Sequence, residues 1–273
     1  MNNKPCPKCK GSQIVVRPKG TVAIATLCVC VPDCERCGGT GKILVISDGA
    51  ERIARCKCQM LPDRIAMFNK AGIPARHAHA SFESFNKDLE GTMPGFLSTY
   101  KWSHGYKAGE PVRGLVLHGE VGRGKTHLLV AMVRQLIMDH GVQVRFVEFS
   151  HLLAELKRGF EEGRGQGGLL AHLAEMEILA IDELGKGRNT EWERTIVDEL
   201  VSQRYNGMKT LLATTNFGPG APTGIEANLS LDGSRQSLSD RVGPRVYSRL
   251  TEMAEFVDIA GSDFRANQGR ARG

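Results

Sequence analysis

Three groups of residues have the types and spacing to do chemistry. The first is GEVGRGKT, which places Gly119, Gly122, Gly124, Lys125 and Thr126 in the pattern GxxxxGK[ST]. Glycines at that spacing let successive backbone N–H groups converge on phosphate oxygens, and the helix that follows starts with its positive end facing the anion. Lys125 would sit between the outer phosphates, and Thr126 would offer its hydroxyl to a magnesium ion. The second group is the end of ILAIDE, where Asp182 would hold that ion through water and Glu183 would orient or deprotonate an attacking water. The third is a set of eight cysteines, all of them between Cys6 and Cys58.

The cysteines form an internal duplication. Cys6, Cys9, Cys28 and Cys30 recur as Cys34, Cys37, Cys56 and Cys58, each offset by 28 residues. The unit is CxxC, eighteen residues, CxC, and between its cysteine pairs lies a stretch that reads as a hairpin: residues 14–16 and 22–25 around a turn at 18–20, then 43–46 and 53 around a turn at 47–49. A hairpin brings its ends together, so four thiolates can meet around one tetrahedral zinc. Two pairings satisfy the spacing. Either each repeat supplies one tetrad, or Cys28, Cys30, Cys34 and Cys37 form one site and the outer four another. Both predict two Zn2+ sites. His77 and His79 read as linker residues, because the cysteines alone complete both sites.

The phosphate pattern needs a strand before it and a helix after it. Leu115, Val116 and Leu117 supply the strand, and Leu128, Leu129, Met132, Val133, Leu136 and Ile137 fall at helical spacing up to Gly141. Residues 142–149, 178–183, 209–216 and 255–259 read as further strands, and helices are expected over 61–71, 169–176, from Thr190 with a TEWE capping box, and over 241–253 after Pro244. Ser150 is expected to cap the helix that carries Leu152, Leu153 and Leu156. Buried parallel strands deliver Asp182, Glu183 and Asn216 at the sheet edge where the phosphate loop opens, which is where ligands bind in open α/β sheets. Residues 217–240, rich in Gly, Pro and Ser, are assigned no regular structure.

With 273 residues, 41% hydrophobic and 24% charged, the chain has enough material for a sizeable core and has the composition of a globular protein. Its net charge of +6 suits a polyanionic partner without requiring one. No apolar run approaches the ~18 residues of a membrane span, and MNNKPCPKCK lacks a leader's apolar segment, so a cytoplasmic protein with no membrane partner is expected. Cysteines clustered in such a chain point to metal rather than to disulfides.

GEVGRGKT, LAIDE, ATTN, RVYSRL and SDFR stand in the order and spacing of an AAA+ ATPase, and the chain resembles the DnaC and IstB-like clade of replicative helicase loaders and their transposition relatives. The resemblance covers about residues 72–266, and the CxxC, CxC, linker, GIP arrangement looks like the N-terminal zinc module of some DnaC-like loaders. It implies an α/β fold: an AAA+ P-loop NTPase core, a parallel sheet flanked by helices, preceded by a small zinc-binding β-hairpin domain. The expected division is 1–58 for the zinc modules (repeats 6–30 and 34–58), 59–80 for a connecting helix and linker, 81–266 for the ATPase and 267–273 for a disordered tail. The resemblance further implies ATP and Mg2+ as cofactors and Asn216 as the sensor-1 residue. It gives Arg249 as the arginine finger reaching a neighbouring subunit's nucleotide, Arg245 as its helper or rival, and Arg265 as the sensor-2 arginine.

The function so implied is ATP-controlled loading of a replicative ring helicase, gripped by the zinc modules, with self-association through the ATP site. Lys157, Arg158 and Phe160, with Lys186 and Arg188, are candidate contacts to single-stranded DNA, since cations track phosphates and an aromatic ring can stack a base. The alternative is an IstB-like transposition ATPase acting on duplex DNA with a transposase. A third reading, a non-catalytic zinc adaptor, follows from CERCGGTG, which resembles the CxxCxGxG repeats of DnaJ proteins. A complete phosphate loop with Asp182, Glu183 and Asn216 argues against it. The zinc module is doubled relative to those relatives, and the 217–240 insertion precedes the arginine region.

Overall fold

The computed structural model describes residues 6–47, 50–87, 89–162, 167–220 and 236–264, and divides into two compact units, Met1–His79 and Ala80–Gly273. The first unit holds two antiparallel hairpins, β1 (Ile14–Lys19) with β2 (Val22–Leu27) and β3 (Lys42–Ser47) with β4 (Ala50–Arg55), followed by α1 (Met60–Ala71). The 28-residue offset of the cysteines holds for all four strands. It also holds for backbone detail: the left-handed residues Lys10, Gly11 and Gln13 recur as Gly38, Gly39 and Gly41, and the bond from the Cys28 N–H to the Gln13 carbonyl recurs from Cys56 to Gly41.

The two repeats differ in what covers them. α1 packs on β2, where the Asn69 side chain accepts from the Ala25 N–H at 2.7 Å and donates to its carbonyl at 3.1 Å. The Ala23 N–H donates to the Ile73 carbonyl, and Ala23 and Ala25 are buried. The helix expected as a connector is therefore part of this unit, ended by Gly72 in the left-handed region.

The second unit opens with α2 (Met93–His104) and contains a five-stranded parallel sheet: β5 (Gly114–His118), β6 (Val144–Glu148), β7 (Ile178–Asp182), β8 (Thr210–Thr215) and β9 (Ala254–Asp258), in the order β6-β7-β8-β5-β9. All five residues of β7 and all six of β8 are buried, as expected of parallel strands covered on both faces. The helices are α3 (Lys125–Gln135), α4 (Phe149–Glu161), α5 (Gly167–Glu175), α6 (Glu191–Asn206), α7 (Leu238–Val242) and α8 (Pro244–Met253). Leu152, Leu156, Leu173, Ile196, Leu200 and Leu250 belong to the core beside the sheet. After α3 one wider turn, Leu136–His140, is π-helical before Gly141 stops the chain in the left-handed region.

Three local expectations change. Ser150 lies inside α4, whose N-cap is Glu148, and the Ser150 hydroxyl donates to that Glu148 carboxylate at 2.9 Å. The 217–240 stretch ends in order, because Ser237 and Asp240 form a capping box that starts α7. The helix read over 241–253 is two helices, parted at Gly243. Residues 221–235, Arg265 and the 267–273 tail lie outside the described residues. Among those described, no helix is long and apolar enough to cross a membrane.

Candidate nucleotide site and cysteine clusters

β5 ends at His118 and the phosphate loop follows. Gly119 has φ 139°, and a Cβ there would lie 2.5 Å from the Ile259 carbonyl oxygen, so only glycine passes beneath the end of β9. Gly124, at φ 88°, is the N-cap of α3, and a Cβ on it would meet the Phe85 ring at 2.8 Å. Gly122 is also left-handed, and its carbonyl accepts from the Phe264 N–H at 3.1 Å. The loop is thus bounded by Phe85 on one side and by residues 259–264 on another. The Lys125 ammonium is buried and donates to the Gly119 and Glu120 carbonyls, each at 2.7 Å.

Thr126 is the second residue of α3, and its hydroxyl donates to the Asp182 carboxylate at 2.9 and 3.1 Å. On the other side the Thr214 hydroxyl donates to Asp182 Oδ1 at 2.6 Å and itself accepts from the Glu183 N–H at 2.9 Å. Since β8 lies between β5 and β7, Thr214 bridges the acidic strand towards the loop. Burial raises the Asp182 carboxyl above its ordinary value, against the opposing bonds from Thr214 and Thr126. Glu183 has φ 58°, in the left-handed region, and its carboxylate pairs with Lys186 Nζ at 2.5 Å. Asn216 is half-buried directly after β8. The loop, Thr126, Asp182, Glu183 and Asn216 therefore share the C-terminal edge of one sheet. His118 stands at the same edge, 3.7 Å from Asp258, and burial lowers its pKa.

Sequence reasoning passed over Thr214. The signal was available: a polar residue in the apolar run LLATT, one strand away from two carboxylates.

The cysteines gather within repeats. Cys6, Cys9, Cys28 and Cys30 form one group and Cys34, Cys37, Cys56 and Cys58 the other, with all sulfurs of a group within 4.8 Å of one another. Cys6–Cys28 and Cys34–Cys56 are each 3.8 Å apart, and Cys9–Cys30 and Cys37–Cys58 are 3.5 and 3.6 Å. A tetrahedral ion with bonds of about 2.3 Å sets sulfurs about 3.8 Å apart, so the donor set fits zinc. Neither His77 nor His79 belongs to a group.

The family model described as "IstB-like ATP binding protein" matches residues 110–271. The chain belongs to the IstB-like ATP-binding family. This ATPase is 24% identical over 180 residues to the replicative helicase loader DnaC of Escherichia coli K12, covering 66% of this chain and 67% of that one. It is 31% identical over 190 residues to an insertion-sequence ATP-binding protein of Mycobacterium tuberculosis, covering 66% and 71%. The crystal structure of the DnaC helicase loader superposes with a TM-score of 0.57 at 26% identity, over 68% of this chain and 99% of that one. An AAA+ ATP-binding core and ATPase activity follow from membership.

Outside the loop, the ATPase holds its two arginines differently. Arg249 Nη1 donates to Asp198 Oδ1 at 2.9 Å and to the Ser202 hydroxyl, its guanidinium lies 5.8 Å from the Tyr205 ring centroid, and its side chain is 18% exposed. Arg245, one turn earlier on α8, is 72% exposed, with Asp198 Oδ2 at 3.7 Å. On α4, Lys157, Arg158 and Phe160 are exposed, Phe160 at 69%. Arg188 is exposed too, whereas Lys186 is engaged by Glu183.

Proposed function

We propose that this ATPase loads a replicative ring helicase, using its cysteine modules to grip the helicase and its AAA+ domain to bind ATP and single-stranded DNA in the cytoplasm. The observation that carries the reading is the likeness to the DnaC helicase loader, in sequence and over nearly the whole of that solved chain. Lys125 and the loop N–H groups would hold the phosphates, with Gly119, Gly122 and Gly124 keeping the backbone close enough. Thr126 and Asp182 would hold a magnesium ion, which neutralises phosphate charge when bound. Glu183 and Asn216 would position water at the terminal phosphate, and Arg265 would contact the nucleotide as sensor 2. Each cysteine tetrad would hold one zinc, whose role is to fold a segment with little core of its own.

A finger arginine supplied by a neighbour makes hydrolysis depend on assembly. Both α8 arginines are candidates, and exposure supports Arg245 for that reach, with Arg249 as its support on α6. Lys157, Arg158 and Phe160 would track DNA backbone and stack a base, with Arg188 and Lys186 nearer the acidic strand. The 31% identity to the insertion-sequence protein supports a second reading, a transposition ATPase acting with a transposase on duplex DNA.

The deciding experiment is light scattering after size exclusion, with the purified protein and the replicative helicase of the source organism mixed in ATP, in ADP, and after zinc stripping. A stable complex lost on stripping is expected. Absence of a complex in every nucleotide, with retention on duplex DNA beside a transposase, would transfer the protein to the second reading.

A further inference from the structure

The duplicated hairpins present the same sheet face in two different situations. In an antiparallel pair, residues directly opposite share a face. On the first hairpin that face carries Val16 opposite Ala25 and Pro18 opposite Ala23, and α1 together with residues 73–77 packs there, with Ala23 and Ala25 each 1% exposed. On the second hairpin the corresponding residues are Leu44 opposite Ile53 and Ile46 opposite Glu51. Leu44, Ile46 and Ile53 are 71, 79 and 72% exposed. Three large aliphatic side chains therefore stand together in water where the sister repeat is covered by a helix. Isolated exposed apolar residues are ordinary, but a contiguous strip on a sheet face marks a contact surface.

The backbone repeats the pattern. On β2 the outward groups of Ala23 and Ala25 are taken by Ile73 and Asn69. Their counterparts on β4 are Glu51 and Ile53, and among the described residues no segment pairs with that edge.

Charge says what fits. Beside the strip, Arg36 and Lys42 join Leu44 and Ile53 in lining an open hollow of about 520 Å3. Arg55, opposite Lys42 on the same face, is tied to Asp63 of α1 at 2.5 Å. An apolar strip that is basic at its Arg36 and Lys42 end, with Glu51 opposite Ile46 at the other end, is complementary to an amphipathic helix carrying acidic residues along the flank that meets Arg36 and Lys42.

We propose that the β3–β4 face, Leu44, Ile46 and Ile53 with Arg36 and Lys42 at its rim, docks an acidic amphipathic helix of the helicase in the way that the first hairpin docks α1. This rests on the loader reading and adds to it the surface and the chemistry of the partner. The division of roles is then that the first repeat anchors its own helix and the second receives one from outside.

The test uses the full-length, zinc-loaded protein and the replicative helicase of the source organism, with affinity measured by biolayer interferometry. Four proteins are compared: wild type, Leu44→Ser with Ile53→Ser, Arg36→Glu with Lys42→Glu, and a control, Arg17→Glu with Lys19→Glu, on exposed positions of the first hairpin. Zinc content and ATPase rate report folding, and all four should keep two zinc ions and the wild-type basal rate. The apolar pair should weaken binding ~30-fold or more and the charge pair ~10-fold, with the control unchanged. A photo-crosslinker at position 46 should attach to a helical segment of the helicase rich in Asp and Glu. Wild-type binding with no loss in either surface variant, or a crosslink to a second copy of this chain, would overturn the docking surface and leave the loader reading standing. No binding by the wild type would sink both.

Discussion

Thr126 on α3 and Asp182 at the end of β7 are joined side chain to side chain, the hydroxyl lying 2.9 and 3.1 Å from the two carboxylate oxygens. Fifty-six residues separate them in sequence, and Thr214 on the intervening strand completes the arrangement. A hydroxyl and a carboxylate so held are a prepared pair of oxygen donors for a hard divalent cation.

Holding that carboxylate costs stability. Burial raises the Asp182 pKa above the unfolded value, so the folded state keeps a proton over a pH window in which the unfolded chain has released it. This group's contribution is therefore most favourable below the unfolded pKa and declines as pH rises through the window above it. Asp182→Asn should leave the nucleotide-free melting temperature at neutral pH equal to or higher than that of the wild type, while hydrolysis falls ~10²-fold or more. A clear drop in melting temperature would show that the charge stabilises the site.

The two cysteine groups predict a stoichiometry. Cys9→Ser should lower bound zinc from two ions to one, and Cys9→Ser with Cys37→Ser should abolish tight binding, read by a metal-release assay and mass spectrometry of the intact protein. Were the tetrads shared between repeats, Cys9 and Cys28 would serve different ions and Cys9→Ser with Cys28→Ser would lose both. Pairing within the repeat predicts that this variant retains one.

Arg204 is a side chain whose removal should be felt throughout the second unit. It is fully buried on α6 and donates to the carbonyls of Leu173, Ala174, Met176, Glu177 and Thr210, closing the C-terminal end of α5 and the start of β8. Burial lowers its pKa to about 10, still well above neutrality. Arg204→Met leaves those carbonyls dry and should cost roughly 3 kcal/mol in urea unfolding. A loss below about 1 kcal/mol would mean that water replaces the guanidinium.

The α8 arginines should separate by phenotype. Arg249→Ala removes bonds to Asp198 and Ser202 and should lower the melting temperature together with activity. Arg245→Ala should keep the melting temperature and lose assembly-dependent hydrolysis. Mixing Arg245→Ala with Lys125→Ala subunits should restore hydrolysis that neither shows alone, because each contributes what the other lacks across the interface. If mixing restores nothing, Arg245 does not act in trans.

What could be read in advance depended on how local the cause was. The 28-residue offset is enough to locate eight cysteines, four in each repeat, and one hairpin per repeat, because a metal knuckle and its turn are built from neighbours in sequence. The strand that delivers Asp182 was readable because parallel strands are apolar on both faces. α2 was missed for a specific reason. Its buried positions are Gly95, Thr99 and Ser103, a stripe at helical spacing made of small and polar residues, whose hydroxyls donate back to carbonyls one turn earlier. No hydrophobic periodicity announces such a helix. Arg249 and Arg204 likewise look like surface residues in the sequence. Their partners lie on other elements, and only the packing of α6 against α8 and of α6 beside α5 reveals them.

The sheet order has a consequence for how the protein is made. The phosphate loop follows β5, yet Gly119 passes under the Ile259 carbonyl, the His118 carbonyl accepts from the Ile259 N–H, and Gly122 accepts from Phe264. Those partners come from β9 and the residues after it, which join the far side of β5 only when the chain has been extended well over a hundred residues further. On the ribosome, the loop emerges long before the strand that walls it in. The wall of the phosphate loop is therefore completed only after β9 has joined β5, and a shortened translation product lacking β9 carries the motif without that wall.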